Sequence, residues 1–119
     1  MVEKDQGLIV FFGTKDLEAT HQFYHDILGF SMYKDQGLCR IYDVPGGGKL
    51  GFCEHVEILN GEKSPIVTFV VEDVDDYYQT LINKSVKVAH PPKENPKFKI
   101  YHFFLKDPNG YTLEIQKFL

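Results

Sequence analysis

VFFGTKDLEA (10–19) and VTFVVEDVDD (67–76) overlay without a gap. Val10 meets Val67, Phe12 meets Phe69, Asp16 meets Asp73 and Leu17 meets Val74, all at one offset of 57 residues. A fixed period of this kind marks an internal duplication. Each copy opens with a short apolar run, LIVFFGT or PIVTFVV, that reads as a buried strand. An aspartate placed to cap a helix follows in both. Glu18 after Asp16, and Asp75 and Asp76 after Asp73, put negative charge in a first helical turn, where the helix dipole favours it.

The rest of the chain fills in around those two starts. KDLEATHQFYHDILGF (15–30) reads as a helix with an apolar stripe of Leu17, Phe23, Tyr24, Ile27 and Leu28, stopped at Gly29. Strands are expected at 30–33, 37–44 and 49–56, with PGGG (45–48) turning between the last two. In the second copy Val74, Tyr77, Tyr78, Leu81 and Ile82 form the helix stripe. Strands are expected at 86–89, in FKIYHFFL (98–105) and after the DPNG turn (107–110). Pro91, Pro92 and Pro96 keep HPPKENPK (90–97) from being a central strand. The predicted class is α+β: two tandem βαβββ modules in a single domain, about 7–57 and 64–119, forming a curved mixed sheet around an open cleft with one helix per module outside.

Composition narrows the classes. At 119 residues the chain is long enough to build a hydrophobic core without metal or disulfide staples. A net charge of -4 with scattered lysines supplies no basic stripe for a phosphate backbone, so nucleic acid is not an expected partner. No apolar run reaches membrane-spanning length and no signal-peptide core follows Met1, so the expectation is a cytoplasmic protein with no membrane contact. Cys39 and Cys53 are then expected as reduced thiols. Ten Phe and seven Tyr exceed what a small core demands, which leaves rings to line a pocket.

The last strand raises the functional question. In KDPNGYTLEIQKF (106–118), Tyr111, Leu113 and Ile115 take one side while Thr112, Glu114 and Gln116 take the other. The apolar side faces a core. Glu114 therefore stands either in solvent or on the inner wall of a cavity.

Three stretches, DLEATHQFYHDILGF (16–30), DVDDYYQTL (73–81) and LKDPNGYTLEI (105–115), resemble the vicinal oxygen chelate superfamily, the glyoxalase, bleomycin-resistance and extradiol dioxygenase family. The likeness covers essentially the whole chain. It implies the cleft described above and, in the metal enzymes of the family, a divalent ion held by one ligand from the first and last strand of each module. Those positions fall here on Ile9, Gly51, Ile66 and Glu114, of which only Glu114 carries a donor atom. A bound divalent ion needs about three protein donors. The family's usual metal site is therefore not expected, and no cofactor is implied.

Other candidates surround that wall. His102 and Phe104 share one strand face and, across the DPNG turn, that face is expected to carry Glu114 as well; a His102–Glu114 hydrogen bond would give a general base or a hook for a polar ligand. Cys53 and His55 follow Gly51 on one face, so that Cys53, His55, His102 and Glu114 form an alternative, non-standard donor set for metal. Arg40 is an anion clamp if it points inward and a rim residue otherwise. Phe11 is core or a stacking ring, Gly51 opens room in the trough, and Ile66 is one of the apolar groups expected to line it. His21 and His25, four apart, are expected on a solvated helix face, and His90 in a loop.

The preferred reading is a metal-independent protein that binds a small, partly aromatic organic molecule. The alternative is a lyase, isomerase or dioxygenase-type enzyme using Glu114 as base or as ligand of an unusual metal site. A third is a scaffold with an empty trough. The family resemblance also implies a homodimer.

Overall fold

The computed structural model describes residues 7–59 and 63–119; the N-terminal residues 1–6 and the middle of the polar connector, 60–62, lie outside the described residues. The chain divides between Ile58 and Leu59 into two compact units. In the first, β1 (Ile9–Gly13) leads to α1 (Leu17–His21), which widens directly into a π-helical turn, Gln22–Ile27. β2 (Met32–Asp35), β3 (Cys39–Asp43) and β4 (Lys49–Cys53) follow. The second unit holds β5 (Val67–Val70), α2 (Val74–Asn83), β6 (Lys93–Asn95), β7 (Ile100–Lys106) and β8 (Thr112–Phe118).

Both units have the predicted βαβββ order, and their sheets are wired alike. The strand orders are β1-β4-β3-β2 and β5-β8-β7-β6, each with its first and last strands parallel and the other pairs antiparallel. The register repeats too: Val10 faces Leu50, and its duplicate Val67 faces Leu113.

Alternation along the strands sends one set of side chains under each helix. In the first unit Phe12, Tyr42 and Phe52 take that side. The Tyr24 ring lies 4.5 Å from Phe52, 5.1 Å from Phe23 and 6.2 Å from Phe30, and Phe12 stacks on Phe52 at 5.9 Å. In the second unit Tyr78 of α2 meets Phe103 edge-on at 5.5 Å, over buried Val74, Leu81, Leu113 and Ile115. Burial of each such side chain contributes roughly 1.5–3 kcal/mol, and a favourable ring pair about 0.5–1.5 kcal/mol more.

Local chemistry fixes the ends of these elements. Asp16 accepts from the Ala19 amide and Asp73 from the Asp76 amide, each at 3.0 Å, so both predicted caps are made. Gly29 turns the chain out of the first helix at φ +79°. Gly13 is required by crowding, because a Cβ there would run into the carbonyls of Val56 and Glu57. In the hairpin before β8, Asp107 accepts from the amides of Asn109 and Tyr111, both at 2.9 Å.

The boundaries depart from expectation in three places. The first helix loses its regular spacing at Gln22, where Leu28 N–H donates to the Phe23 carbonyl five residues back. The strand expected at 30–33 starts later, at Met32, with its register shifting between Met32 and Lys34. Of the strand expected at 86–89, only a single bridge from Val88 to Leu105 forms. The paired strand is β6, inside the proline-flanked loop, and it is tolerated there because β6 is an edge strand whose outer amides have no ladder partner to lose.

α2 closes with Ser85 N–H bonded to the Ile82 carbonyl and Val86 N–H to that of Leu81, both at 3.0 Å, a pattern that needs a left-handed residue between them. Ser85 adopts it, at φ +63°. A side chain in that conformation costs about 1 kcal/mol relative to glycine. Ser85→Gly is expected to raise the unfolding free energy by about 0.5–1 kcal/mol, read as a higher urea midpoint at unchanged slope.

Candidate functional site

β8 answers the question posed by Glu114. Leu113 and Ile115 are fully buried toward α2, and Glu114 lies on the opposite face, yet it is itself only 7% exposed. A carboxylate so withdrawn from water must be hydrogen-bonded. Thr68 on the parallel neighbour β5 donates its hydroxyl to Oε1 at 2.7 Å, and His102 Nδ1 lies 2.7 Å from Oε2. Gln116 Nε2 reaches Oε1 at 3.5 Å. Strand register produces this: Thr68 and Phe104 flank Glu114 directly, and His102 stands diagonally across from it.

His102 is also buried, with Phe104 edge-on at 5.1 Å and His90 at 6.2 Å. The shared bond occupies Nδ1 and leaves Nε2 as the second polar atom of the ring. Phe104, Lys106 and Thr112, from the same face, open onto a cavity of about 570 Å³ whose other walls include Val86, Val88 and Ala89. A recess lined mainly by apolar groups is the usual make-up of a small-molecule site; Glu114 and His102 do not line it, and Phe104 connects it to their strand face. Thr68 escaped the sequence reading, although the 57-residue offset that pairs Val10 with Val67 also pairs Phe11 with Thr68.

The equivalent place in the first unit is built differently. Phe11 faces Gly51 across the parallel β1–β4 pair just as Thr68 faces Glu114. The Phe11 ring leans over Gly51 so closely that a Cβ there would collide with its Cδ1 and Cε1 atoms. Gly51 therefore opens no room in the wall, because Phe11 has taken the space. Ile9 and Ile66 are exposed, at 37% and 57%. Of the four family ligand positions only Glu114 has a donor, and both of its oxygens are engaged within the second unit. This donor set does not fit a divalent ion.

Arg40 is neither wall nor anion clamp. It follows Cys39 on the helix side of β3, where its Nη2 donates to Glu18 Oε1 on α1 at 2.6 Å and its Nε lies 3.8 Å from Asp35. Cys39 and Cys53 are not separate thiols: they face each other across the antiparallel β3–β4 pair, with Cα atoms 4.1 Å apart, and are joined as a disulfide. Cys53 thus offers no free thiol to a ligand. His55 lies beyond the end of β4 in an exposed turn, so it does not continue the Gly51 face, and its Nδ1 is 4.0 Å from Cys39 Sγ. His21 departs from the solvated face predicted for it, bonding the Tyr42 hydroxyl at 2.8 Å, while exposed His25 pairs with Asp26 at 2.7 Å.

With the duplicated sheets and the Glu114 wall described, the family can be stated. The family model of the Glyoxalase/Bleomycin resistance protein/Dioxygenase superfamily matches residues 8–115. The chain belongs to this superfamily. An integron cassette protein from the mobile metagenome of a Halifax Harbour sewage outfall is 28% identical over 93% of this chain and 97% of its own, with a TM-score of 0.77. TioX from Micromonospora sp. ML1 shares the superfamily fold at a TM-score of 0.79 and 18% identity, covering 97% of this chain and 100% of its own. A lactoylglutathione lyase from Agrobacterium tumefaciens does so at 0.75 and 20%, covering 92% and 91%. No curated protein sequence matches the chain. Among the described residues no helix is long and apolar enough to cross a membrane.

Two outcomes follow from this geometry. Gly51→Ala is expected to cost about 1 kcal/mol by overpacking against Phe11. In a Phe11→Ala background the cost should vanish, a coupling that a double-mutant cycle in urea measures. The second concerns Tyr42, fully buried, whose hydroxyl is pushed up to about 12 chiefly by burial, with Arg40 opposing the rise. An unfolded tyrosine ionises near pH 10. The neutral phenol's stabilising contribution is therefore complete below pH 10 and lost as pH climbs from 10 to 12. Stability should fall across that window, and Tyr42→Phe should flatten the fall.

Proposed function

We propose that this superfamily member is a small-molecule-binding protein that works without the family's usual metal ion. The observation that carries the reading is Glu114 held by Thr68 and His102 inside its own sheet, while Ile9, Gly51 and Ile66 supply no donor. A carboxylate with both oxygens satisfied by protein has no need of an ion. The adjoining recess, walled by Val86, Val88, Ala89 and Phe104, suits a small and partly aromatic organic ligand, bound by apolar burial and ring contact. Lys106 at its edge fixes orientation, and Phe104 joins the recess to the strand face that carries Glu114 and His102.

A second reading is favoured by the 2.7 Å contact between His102 and Glu114. A histidine oriented by a carboxylate is a competent general base, so a lyase or isomerase acting through His102 Nε2 fits the same wall. A homodimer is part of the proposal, supported by apolar residues exposed on the first strand of each sheet, Ile9, Val10 and Phe11 on β1 and Val70 on β5. So is residence in the cytoplasm, where the Cys39–Cys53 disulfide would be exposed to a reducing thiol pool.

A thermal-shift screen of aromatic antibiotics and small dicarbonyls tests the binder directly, since a ligand of the folded state raises the melting temperature by mass action. At least one aromatic compound should raise it, and the rise should shrink in Phe104→Ala and Glu114→Gln. Protein purified without chelator should contain no stoichiometric divalent ion that Glu114→Gln removes. An ion lost in that variant would overturn the metal-free reading, and consumption of a dicarbonyl abolished by His102→Gln would favour the enzyme.

A further inference from the structure

The first unit carries a second cluster with its own chemistry. Cys39 Sγ, Cys53 Sγ and a ring nitrogen of His55 all lie within 4.8 Å of one another. The sulfurs come from facing positions on β3 and β4, so the sheet holds them together, and His55 is brought over them by the turn that leaves β4. The Cys39 Sγ to His55 Nδ1 distance is 4.0 Å. Around a tetrahedral zinc ion, with bonds of about 2.3 Å to sulfur and about 2.0 Å to nitrogen, donors stand roughly 3.5–3.8 Å apart. Small side-chain rotations bring the three donors to that spacing once the sulfur–sulfur bond is open.

We propose that Cys39, Cys53 and His55 form a redox-gated zinc site. Its donors all lie in the first unit, whereas Glu114 belongs to the second. The gate is the cross-link itself, since a disulfide sulfur has no thiolate to give and only the reduced pair can bind. Opening it takes two electrons and two protons, supplied by two molecules of a small thiol that leave as their own disulfide. Cys39 and Cys53 are then thiols. Each releases a proton to solvent as its sulfur bonds the ion, and His55 binds as the neutral ring. Three protein donors leave one coordination position, on the exposed side where His55 sits, for water or an exogenous ligand.

The nearly complete burial of both cysteines supports this use of them. At 8% and 2% exposed, they are shielded from bulky oxidants and from other protein molecules, so exchange is confined to small thiols and to each other. The exposed imidazole is the group that an incoming ion meets first.

Cobalt(II), which reports thiolate bonding through an intense near-ultraviolet charge-transfer band, is the probe. Full-length protein reduced with a phosphine and desalted without oxygen should develop the band, saturate at one equivalent and lose it to added zinc. Protein with the disulfide intact should show none. Cys53→Ser should abolish the sulfur band, and His55→Ala, at an exposed position where the fold is not at stake, should weaken binding at least about tenfold. Glu114→Gln should leave the titration unchanged. Absence of the band from reduced protein, indifference to His55→Ala, or loss in Glu114→Gln would each overturn the site. None of these results decides whether the recess binds an organic molecule, and a failed ligand screen leaves the cobalt titration unaffected.

Discussion

A carboxylate can leave water only if other groups replace the hydrogen bonds it gives up, and in Glu114 the replacement is complete and local. Thr68 takes one oxygen and His102 the other, each at 2.7 Å. The arrangement depends on sheet order. Because β8 lies between β5 and β7, Glu114 has a neighbour on either side, one supplying a hydroxyl and the other an imidazole. Were β8 an edge strand, one oxygen would need a partner from elsewhere. The His102–Glu114 contact also confers direction on the histidine, fixing which nitrogen faces out from the pair.

Duplication explains why the same strand face has a different character in each unit. The same register position holds Phe11 over Gly51 in one unit and Thr68 against Glu114 in the other. Cross-strand pairs are the unit of sheet stabilisation, and each unit satisfies its pair by a different means. Covering a glycine with an aromatic ring recovers packing that the missing side chain gives up. The hydroxyl–carboxylate pair recovers hydrogen bonds instead. The first unit thus closes its face with hydrocarbon and sulfur, and the second keeps polar groups beside a recess.

Much of this was legible in residue order because local rules and tertiary structure agree. The aspartate caps, the two helices, the twofold βαβββ pattern and the face assignment of Glu114, His102 and Phe104 follow from period and capping chemistry alone. The misses share a cause, which is that they depend on strand pairing that sequence periodicity does not encode. The Cys39–Cys53 link needs the β3–β4 register, in which the two residues directly oppose each other. Arg40 sits one residue from that pair, and the same register turns it toward Glu18. Phe11 fills the space above Gly51 only because β1 runs parallel to β4 in a register that sets the two side by side. The apolar run 86–89 reads as a strand by periodicity but forms only the Val88–Leu105 bridge, because the edge of β7 is paired instead by the proline-flanked polar segment Lys93–Asn95.

Loss of donors at a family ligand position need not mean loss of chemistry, because the side chains that remain are released to other partners. With an ion present, a glutamate at this position would spend its oxygens on the metal, and a histidine beside it would be an outer support. With isoleucine and glycine at the other positions, the histidine is the glutamate's partner, and its second nitrogen is not used in that bond. A hydroxyl at position 68 supplies the short contact to the other oxygen; without it that oxygen would keep only the 3.5 Å contact from Gln116, at a cost of about 1–3 kcal/mol. Thr68 thus completes the hydrogen bonding of Glu114 within its own sheet, beside the contact that His102 makes.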